Sequence, residues 1–411
     1  MTNPAASAAA YYASLCEPST ASESGRRTLI AIQEVWRLLE FIFMDESESD
    51  PAQKVTQGAL KWIAWISREE GRQTVLRRPV TRNSSIDLFR ALRDQRFPDA
   101  FRILKESGAP NDAGILESFL SNSSHAIRKV AQSAARSGQT FGESEIASVL
   151  LGYLAGDERL LAESADRSNV VDYLFVKLHC LLPSLPGLRE ISSLAIDSFE
   201  DTLSPFMGVA CMIIGGEFER AIGFLEELLL GAANARSSSV RPPPLFQSRE
   251  VQDMLADPDS LTAFLSFAVY LSAFFNETGI HAESTPDAFV EELLKNWFQR
   301  MKSDVAVGSN AAFLAEHIAL IQSSDKRSEV WAGCFLELAN HYEGFSASRS
   351  LCHELVVRQC DLSFIKATIN KFLNGSVDLL LSSDYDRPTG VVDNALGVVT
   401  HVAFGLVSHN E

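Results

Sequence analysis

The sequence lacks the motifs that mark most catalytic and nucleotide-binding proteins. It contains no phosphate-binding loop of the Gly-x-x-x-x-Gly-Lys type, no Gly-x-Gly-x-x-Gly turn, no Gly-x-Ser-x-Gly nucleophile elbow and no His-Glu-x-x-His pair. These absences exclude the classes of nucleotide-binding enzyme, serine hydrolase and zinc peptidase that such motifs define. We therefore expect a protein that is not an enzyme, with no catalytic residue and no cofactor.

Cysteine is scarce, with six residues in a chain of 411, and no two of them form a Cys-x-x-Cys pair. The spacing of Cys352, His353 and Cys360 matches no zinc site. The N-terminus lacks the charged start and the apolar core of a signal peptide. We therefore expect a reducing compartment, six free thiols and no bound metal.

Long apolar runs are also few, and two of them resemble membrane spans. Residues 261–275 are short of the roughly 20 residues that a spanning helix needs. Residues 389–408 have the length, but they include Asp393 and His401. We interpret both runs as buried core helices, and we expect a soluble protein with no membrane span.

Basic residues are outnumbered, with 36 Lys and Arg against 53 Asp and Glu, and the net charge is −17. This balance argues against direct binding of nucleic acid, which needs a basic footprint. Residues 61–110 are the exception, because they carry eleven Lys or Arg against six acids. We interpret this basic segment as a solvated face, and the alternative is a docking surface for an acidic partner.

Helical periodicity, by contrast, runs through the chain, while alternating strand patterns do not occur. Residues 96–101 and 217–222 share an aromatic residue followed by a small Ala, a pair that stacked helical hairpins need. The strict 34-residue period of a tetratricopeptide array is absent. We predict an all-α protein of about 17–20 helices, stacked as an irregular α-helical solenoid.

Composition divides the chain into three parts. Residues 1–25 are rich in Ala and Ser and are predicted to form a disordered tail. Residues 26–378 are predicted to form the solenoid, with an internal loop at residues 232–248, where three consecutive prolines prevent a helix. Residues 379–411 are predicted to form a loop and a terminal helix.

The most apolar part of the chain is a predicted helical hairpin over residues 146–182, with a break at Gly156 and Asp157. Its second helix is apolar nearly all round, which is typical of a helix buried on several sides. The hairpin carries more apolar side chains than two faces of a stack can cover, so we predict that a partner covers one edge near the break. The alternative is that neighbouring helices of the same chain bury them. The candidate interface residues are Val149, Tyr153, Val170 and Tyr173.

Several segments resemble, in the same order, the nucleoporin 107 family, whose shorter members are the nucleoporin 84 proteins. In this chain, the segments QEVWRLLEFIF and KVTQGALKWIAWI resemble the paired opening helices of that family. Later elements of the family resemble LFRALRDQRFPDAFRILKESGAP, the hairpin of residues 146–182 and SLTAFLSFAVYLSAFFNETG. The strongest similarity covers residues 329–371, where an aromatic helix is followed by a charged turn and a leucine-rich helix.

This resemblance implies an element of the ancestral-coatomer type, with a trunk, a crown and a fold-back, and places the crown roughly within residues 86–231. It implies a scaffold of the outer-ring Y complex of the nuclear pore, located in the nucleus at the nuclear envelope. Such a scaffold supports pore assembly, nucleocytoplasmic transport of protein and mRNA export. The implied assembly is a hetero-oligomer with other Y-complex nucleoporins.

The resemblance implies two partners, and the second is expected only under a condition. The crown is expected to bind a sister scaffold of the nucleoporin 96 / 145C type. A nucleoporin 133 type partner is expected only if a C-terminal tail domain exists, because the chain stops near where the family's tail begins. Two alternatives stay open: a helical-solenoid adaptor subunit of another coat or regulatory complex, and a helical enzyme with an unrecognised site.

Overall fold

The computed structural model shows an all-α protein. It describes residues 22–44, 50–74, 84–137, 144–200, 202–235, 249–280, 287–303, 311–321, 323–339, 354–355 and 362–382. No β-strand occurs in these ranges, and a π-helical turn at Phe119–Ser123 interrupts the α-helical pattern. The all-α class predicted from the periodicity is therefore confirmed.

The described ranges contain eighteen α-helices. In chain order they are α1 Glu23–Met44, α2 Pro51–Thr74, α3 Ser84–Arg93, α4 Phe97–Glu106, α5 Pro110–Ser118, α6 Ser124–Ser137, α7 Glu145–Ala155, α8 Glu158–Ala162, α9 Val170–Cys180, α10 Leu185–Ser198, α11 Pro205–Ile214, α12 Phe218–Ala235, α13 Arg249–Ala256, α14 Pro258–Glu277, α15 Asp287–Ser303, α16 Ala311–Ala319, α17 Ser324–Ala339 and α18 Leu362–Ser382. Most follow one another closely, as helical hairpins do.

The chain divides into two compact units. The first unit is built mainly from Ala31–Phe224, and the second mainly from the described residues of Gln252–Glu411. Each unit has a core of fully buried aromatic side chains. In the first unit these include Trp36, Trp62 and Phe89, and in the second they include Phe264, Phe289 and Trp331.

In the first unit, α1 and α2 form the predicted opening hairpin. The indole Nε1 of Trp62 donates a hydrogen bond of 2.7 Å to the carbonyl oxygen of Glu34. The two helices approach so closely at Gly58 that a Cβ atom there would lie 2.7 Å from the Cα of Ile42. On its other side, α2 packs against α9, α10 and α11, so it is the central helix of this unit.

The second unit is organised around α14, which Asp257 and Pro258 start as their sequence predicts. The Asp257 carboxylate accepts a hydrogen bond of 2.9 Å from the Ser260 backbone N–H and caps the helix. Within the described ranges, α14 is the helix that is long and apolar enough to cross a membrane by length and composition. Most of it is buried inside the unit, against α15 and α16, as a core helix.

Three predicted boundaries differ from the structure. Helix α1 begins at Glu23, inside the predicted tail, because Ser22 hydrogen-bonds to the carboxylates of Asp257 and Asp259 and accepts a bond from the Gly25 N–H. Helix α12 continues to Ala235 and α18 to Ser382, each a few residues beyond the predicted loop start. The remainder of both predicted loops, residues 1–21 and the apolar run 389–408 lie outside the described residues.

His317 is buried in the core of the second unit. Its ring lies 4.2 Å from the Phe313 ring and 4.7 Å from the Tyr270 ring, measured between centroids. Its Nδ1 donates a hydrogen bond of 2.7 Å to the Phe313 carbonyl, and its Nε2 has no hydrogen-bond partner among the described residues. Burial lowers the pKa of His317 to about 4, so the ring is neutral in the folded protein near pH 7.

Replacing Gly58 by alanine is expected to lower the free energy of unfolding by about 1–3 kcal/mol. The added Cβ would meet backbone atoms of Ile42, which cannot rotate away as a side chain does. Gly114→Ala in α5 is the matched control, because an added Cβ there meets no atom within 4 Å. We expect the free energy of unfolding of this control, measured by urea denaturation, to rise by about 0.5–1 kcal/mol. A Gly58→Ala variant as stable as the wild type would contradict the close helix crossing.

His317 is expected to make stability fall with acid. Its pKa is lower in the folded state than the unfolded value of 6.5, so below pH 6.5 the unfolded chain binds a proton that the folded chain does not. His317→Phe keeps the aromatic packing and removes this titration. When the pH falls from 7 to 4.5, we expect the free energy of unfolding to decrease by about 2–3 kcal/mol less in the variant than in the wild type. Urea unfolding at the two pH values measures this difference. His125→Phe, at an exposed position, is the control. Equal acid losses in the wild type and His317→Phe would contradict this origin.

Candidate partner-binding surface

The hairpin predicted over residues 146–182 consists of α7, α8 and α9, and each helix begins at a side-chain cap. Ser144, Asp157 and Asn169 accept hydrogen bonds from backbone N–H groups of the first turn of α7, α8 and α9 respectively. Helix α7 ends at Gly156, whose φ of 66° is the left-handed conformation that favours glycine. The predicted break at Gly156 and Asp157 is therefore confirmed.

A stack of aromatic rings fills the inside of this break. The Tyr153 and His179 rings lie 4.3 Å apart with an interplanar angle of 12°, and Phe175 stacks on His179 at 5.5 Å. The Nε2 of His179 donates a hydrogen bond of 2.8 Å to the Tyr153 carbonyl. Phe119, in the π-helical turn, packs edge-on against Tyr153 at 6.1 Å.

The pKa values of this cluster favour packing over proton transfer. Burial raises the pKa of Tyr153 to about 12 and lowers the pKa of His179 to about 4. Burial, followed by the nearby Glu158 and Asp157 carboxylates, raises the pKa of the Cys180 thiol to about 12. Near pH 7 all three groups are uncharged, and the thiol is not the nucleophilic thiolate.

The structure separates the four candidate interface residues into two pairs. Val149 is 1% exposed and Tyr153 is 7% exposed, while Val170 and Tyr173 are half-buried. The expectation of an uncovered edge is therefore corrected for Val149 and Tyr153. The reason is that α3, α5, α6 and α8 all pack against α7, so neighbouring helices of the same chain cover both side chains.

Val170 and Tyr173 belong to one stripe of α9 that faces outward. Val170, Tyr173, Lys177 and Cys180 follow one another at helical spacing, and all are half-buried. Tyr173 packs edge-on against Phe199 at 5.5 Å, and the Nζ of Lys177 lies 5.6 Å above the Tyr173 ring. The same Nζ forms an ion pair of 2.6 Å with Glu158.

The stripe is followed by an exposed apolar segment, which comprises the turn between α9 and α10 and the first residues of α10. Leu182 is 87% exposed and Leu185 is 50% exposed, and Pro183 and Pro186 beside them are exposed as well. We call the outward stripe of α9 together with residues 182–186 the α9 edge. Sequence reasoning missed Leu182 and Leu185, although two leucines that are each followed by a proline were an available signal.

The opposite side of α9 is held by a buried ionic cluster. The Arg93 guanidinium bonds the Asp172 carboxylate through NH1 and Asp94 through Nε at 2.8 Å. Asp172 also accepts a hydrogen bond of 2.8 Å from the Asp166 N–H. Each of the three charged side chains is less than a tenth exposed. Asp172 is buried in this cluster, while Tyr173, the next residue, is half-buried and belongs to the outward stripe.

Several arginines of the basic segment 61–110 are engaged within the first unit. Arg68 donates a hydrogen bond of 2.8 Å to the Asp94 carbonyl. Arg96 and Arg102 pair with the Asp99 carboxylate at 2.9 and 3.1 Å. These contacts compensate part of the positive charge that the sequence concentrates there. Whether a partner docks on this segment stays a prediction.

Cysteine and other metal-ligating side chains are dispersed in the part of the chain that the structure describes. No group of three His, Cys, Asp or Glu side chains there has the geometry to hold a metal ion. Cys180, Cys211 and Cys334 are free thiols. Cys16, Cys352 and Cys360 lie outside the described residues.

A scan against protein-family models finds no match to this chain, and a search of curated proteins finds no match either. Function is therefore argued from the geometry of the α9 edge and from the sequence segments. The α9 edge combines exposed leucines, a half-exposed tyrosine and a charged rim of Lys177 and Glu158. Such an arrangement is typical of a protein-binding surface.

Aspartate substitutions distinguish the buried pair from the exposed pair. Tyr153→Asp places a carboxylate between the His179 and Phe119 rings, and we expect it to lower the free energy of unfolding by more than about 3 kcal/mol. Tyr173→Asp places the carboxylate beside Lys177 at the surface, and we expect a loss of about 1 kcal/mol or less. Thermal denaturation followed by circular dichroism measures both. Similar losses in the two variants would contradict the assignment of Tyr173 to the surface.

Proposed function

We propose that this protein is a structural scaffold that presents the α9 edge to another helical protein. The observation that carries the proposal is Leu182, which is 87% exposed at the end of the half-exposed stripe of α9. Single exposed leucines are common on protein surfaces. Here Leu182, in the turn after α9, and Leu185, the first residue of α10, are each followed by an exposed proline. They lie next to the outward stripe of α9, and contiguous apolar surface of this kind is typical of a binding site.

The exposed side chains of the α9 edge would contribute to such a contact in different ways. Fully burying a leucine side chain contributes about 1.5–3 kcal/mol. Tyr173 adds a large amphipathic ring, the side-chain type that is enriched among the residues that dominate interfaces. Lys177 and Glu158 at the rim would contribute to orientation and association rate more than to affinity.

In the fuller proposal, the protein is a nucleoporin 107 / nucleoporin 84 type scaffold of the outer-ring Y complex of the nuclear pore. The ordered series of similar segments and the all-α architecture support it. The helices would form an irregular solenoid with a trunk, a crown and a fold-back, and the α9 edge lies within the crown region of residues 86–231. The proposed partner is a sister scaffold of the nucleoporin 96 / 145C type.

The proposed cellular role follows from that assembly. The chain would sit at the nuclear envelope within the pore and support pore assembly, nucleocytoplasmic transport and mRNA export through other Y-complex nucleoporins. A nucleoporin 133 type partner would join only through a C-terminal tail domain. An adaptor subunit of another coat would use the same α9 edge with a different helical partner, so location in the cell distinguishes the two.

Charge substitution on the α9 edge tests the proposal. We expect Leu182→Asp and Leu185→Asp to weaken binding to the sister scaffold at least about tenfold, because the new carboxylate would be desolvated in the complex. Val130→Asp is the matched control, since Val130 is 63% exposed on α6, outside the α9 edge. Binding is measured by titration calorimetry with separately purified proteins. The melting temperatures of the variants and the wild type are compared, so that loss of folding is distinguished from loss of binding.

The outcomes separate the components of the proposal. Unchanged binding in both leucine variants would contradict the α9 edge as the interface. Absence of any complex with a nucleoporin 96 / 145C type protein, together with absence of the fluorescent chain from the nuclear rim, would contradict the pore scaffold. A complex with another helical coat subunit at a different location would support the adaptor.

A further inference from the structure

The second unit contains a groove between α15 and α17 with a volume of about 340 Å³. Each helix contributes one stripe at the spacing i, i+3, i+4 and i+7. The lining residues are Glu291, Leu294, Lys295 and Phe298 on α15, and Val330, Gly333, Cys334 and Glu337 on α17. Because each stripe spans two helical turns, the groove is about 10 Å long.

The floor of the groove is apolar, and its edges are charged. Leu294, Phe298, Val330 and Cys334 are each less than a tenth exposed and form the floor. At the end where both helices begin, the charges are compensated within the unit. Glu291 pairs with Lys326 at 2.6 Å there, and Glu292 pairs with Lys295 at 3.0 Å.

Gly333 gives the groove its width. It lies in the interior of α17, it is exposed, and a Cβ added to it would meet no atom within 4 Å. By comparison, a Cβ at Gly375 in α18 would lie 2.6 Å from a terminal methyl group of Leu336, so that glycine has a close neighbour within the chain. Glycine weakens a helix interior relative to alanine, and no contact with a described residue accounts for Gly333.

The far end of the groove carries a negative charge that no described residue compensates. Glu337 lies in the last turn of α17, where the helix dipole is also negative. Among the described residues, Glu337 forms no ion pair and no hydrogen bond. This end of the groove would therefore favour a cation. The net charge of the whole chain is −17, which would also attract a basic partner.

We propose that the α15–α17 groove binds a basic amphipathic helix of a partner protein. One large apolar side chain of that helix lies over Gly333, and a Lys or Arg one or two turns away pairs with Glu337. This is the helix-in-groove mode, in which anchors at i, i+3, i+4 and i+7 meet a matching apolar channel. The site lies in the second unit, so it is independent of the α9 edge and of the partner proposed for it.

A synthetic helical peptide of about 18 residues tests the groove. The probe has leucines at i, i+3, i+4 and i+7 and lysines along the flanks, and a second probe has glutamate in place of every lysine. Fluorescence anisotropy with the full chain measures binding. We expect the lysine peptide to bind saturably and the glutamate peptide to bind at least about tenfold more weakly.

Three variants locate the binding. Gly333→Leu fills the groove, and Glu337→Lys reverses the charge at its far end. We expect each variant to bind the lysine peptide at least about tenfold more weakly than the wild type. Gly114→Leu makes the same change at an open helical glycine of the first unit and is expected to bind as the wild type does. Gly333→Ala adds one methyl group, so it should keep binding and raise the melting temperature.

Each remaining outcome would overturn the proposal. These outcomes are no saturable binding of the lysine peptide, equal binding of the two peptides, and unchanged binding in Gly333→Leu that melts normally. Leu182→Asp should bind the peptide as the wild type does. A failure of the α9 edge is therefore distinguishable from a failure of the groove.

Discussion

The buried contact between Arg93 and Asp172 sets the orientation of α9, on which the candidate binding surface depends. Burial lowers the pKa of Arg93, but Asp94 and Asp172 outweigh burial and the pKa is raised, so the ion pair persists. Removing one partner of such a buried pair costs about 3–5 kcal/mol, because the other charge is left unpaired. The contact therefore holds Asp172 in the interior, and the stripe that contains Tyr173 lies on another face of the same helix.

Both candidate surfaces arise where packing within the chain stops. On α9, the inner side is occupied by the ionic cluster. On the outer stripe, Tyr173 packs against Phe199, and Lys177 pairs with Glu158. Between α15 and α17, the floor is packed, but Gly333 leaves space above it. A helical stack covers each helix on some sides only, so its function is determined by the faces that stay uncovered.

Local signals predicted the helical elements well, because helix caps depend on neighbouring residues. Asp257 with Pro258 started α14, and Gly156 follows the end of α7 with positive φ. The boundaries at Glu23, Ala235 and Ser382 were missed. At Glu23 the reason is a set of hydrogen bonds to Asp257 and Asp259, which are more than 230 residues away in sequence.

The sequence by itself determined the all-α class, the helix breaks and the apolar character of the hairpin, since periodicity and caps are properties of neighbouring residues. Only the tertiary structure decided which apolar residues are covered. Val149 and Tyr153 are buried because four helices converge on α7, and Leu182 is exposed because none covers its turn. The pairing of Arg93 with Asp172 spans 79 positions. No local pattern encodes such a contact, because it depends on how the chain brings distant helices together.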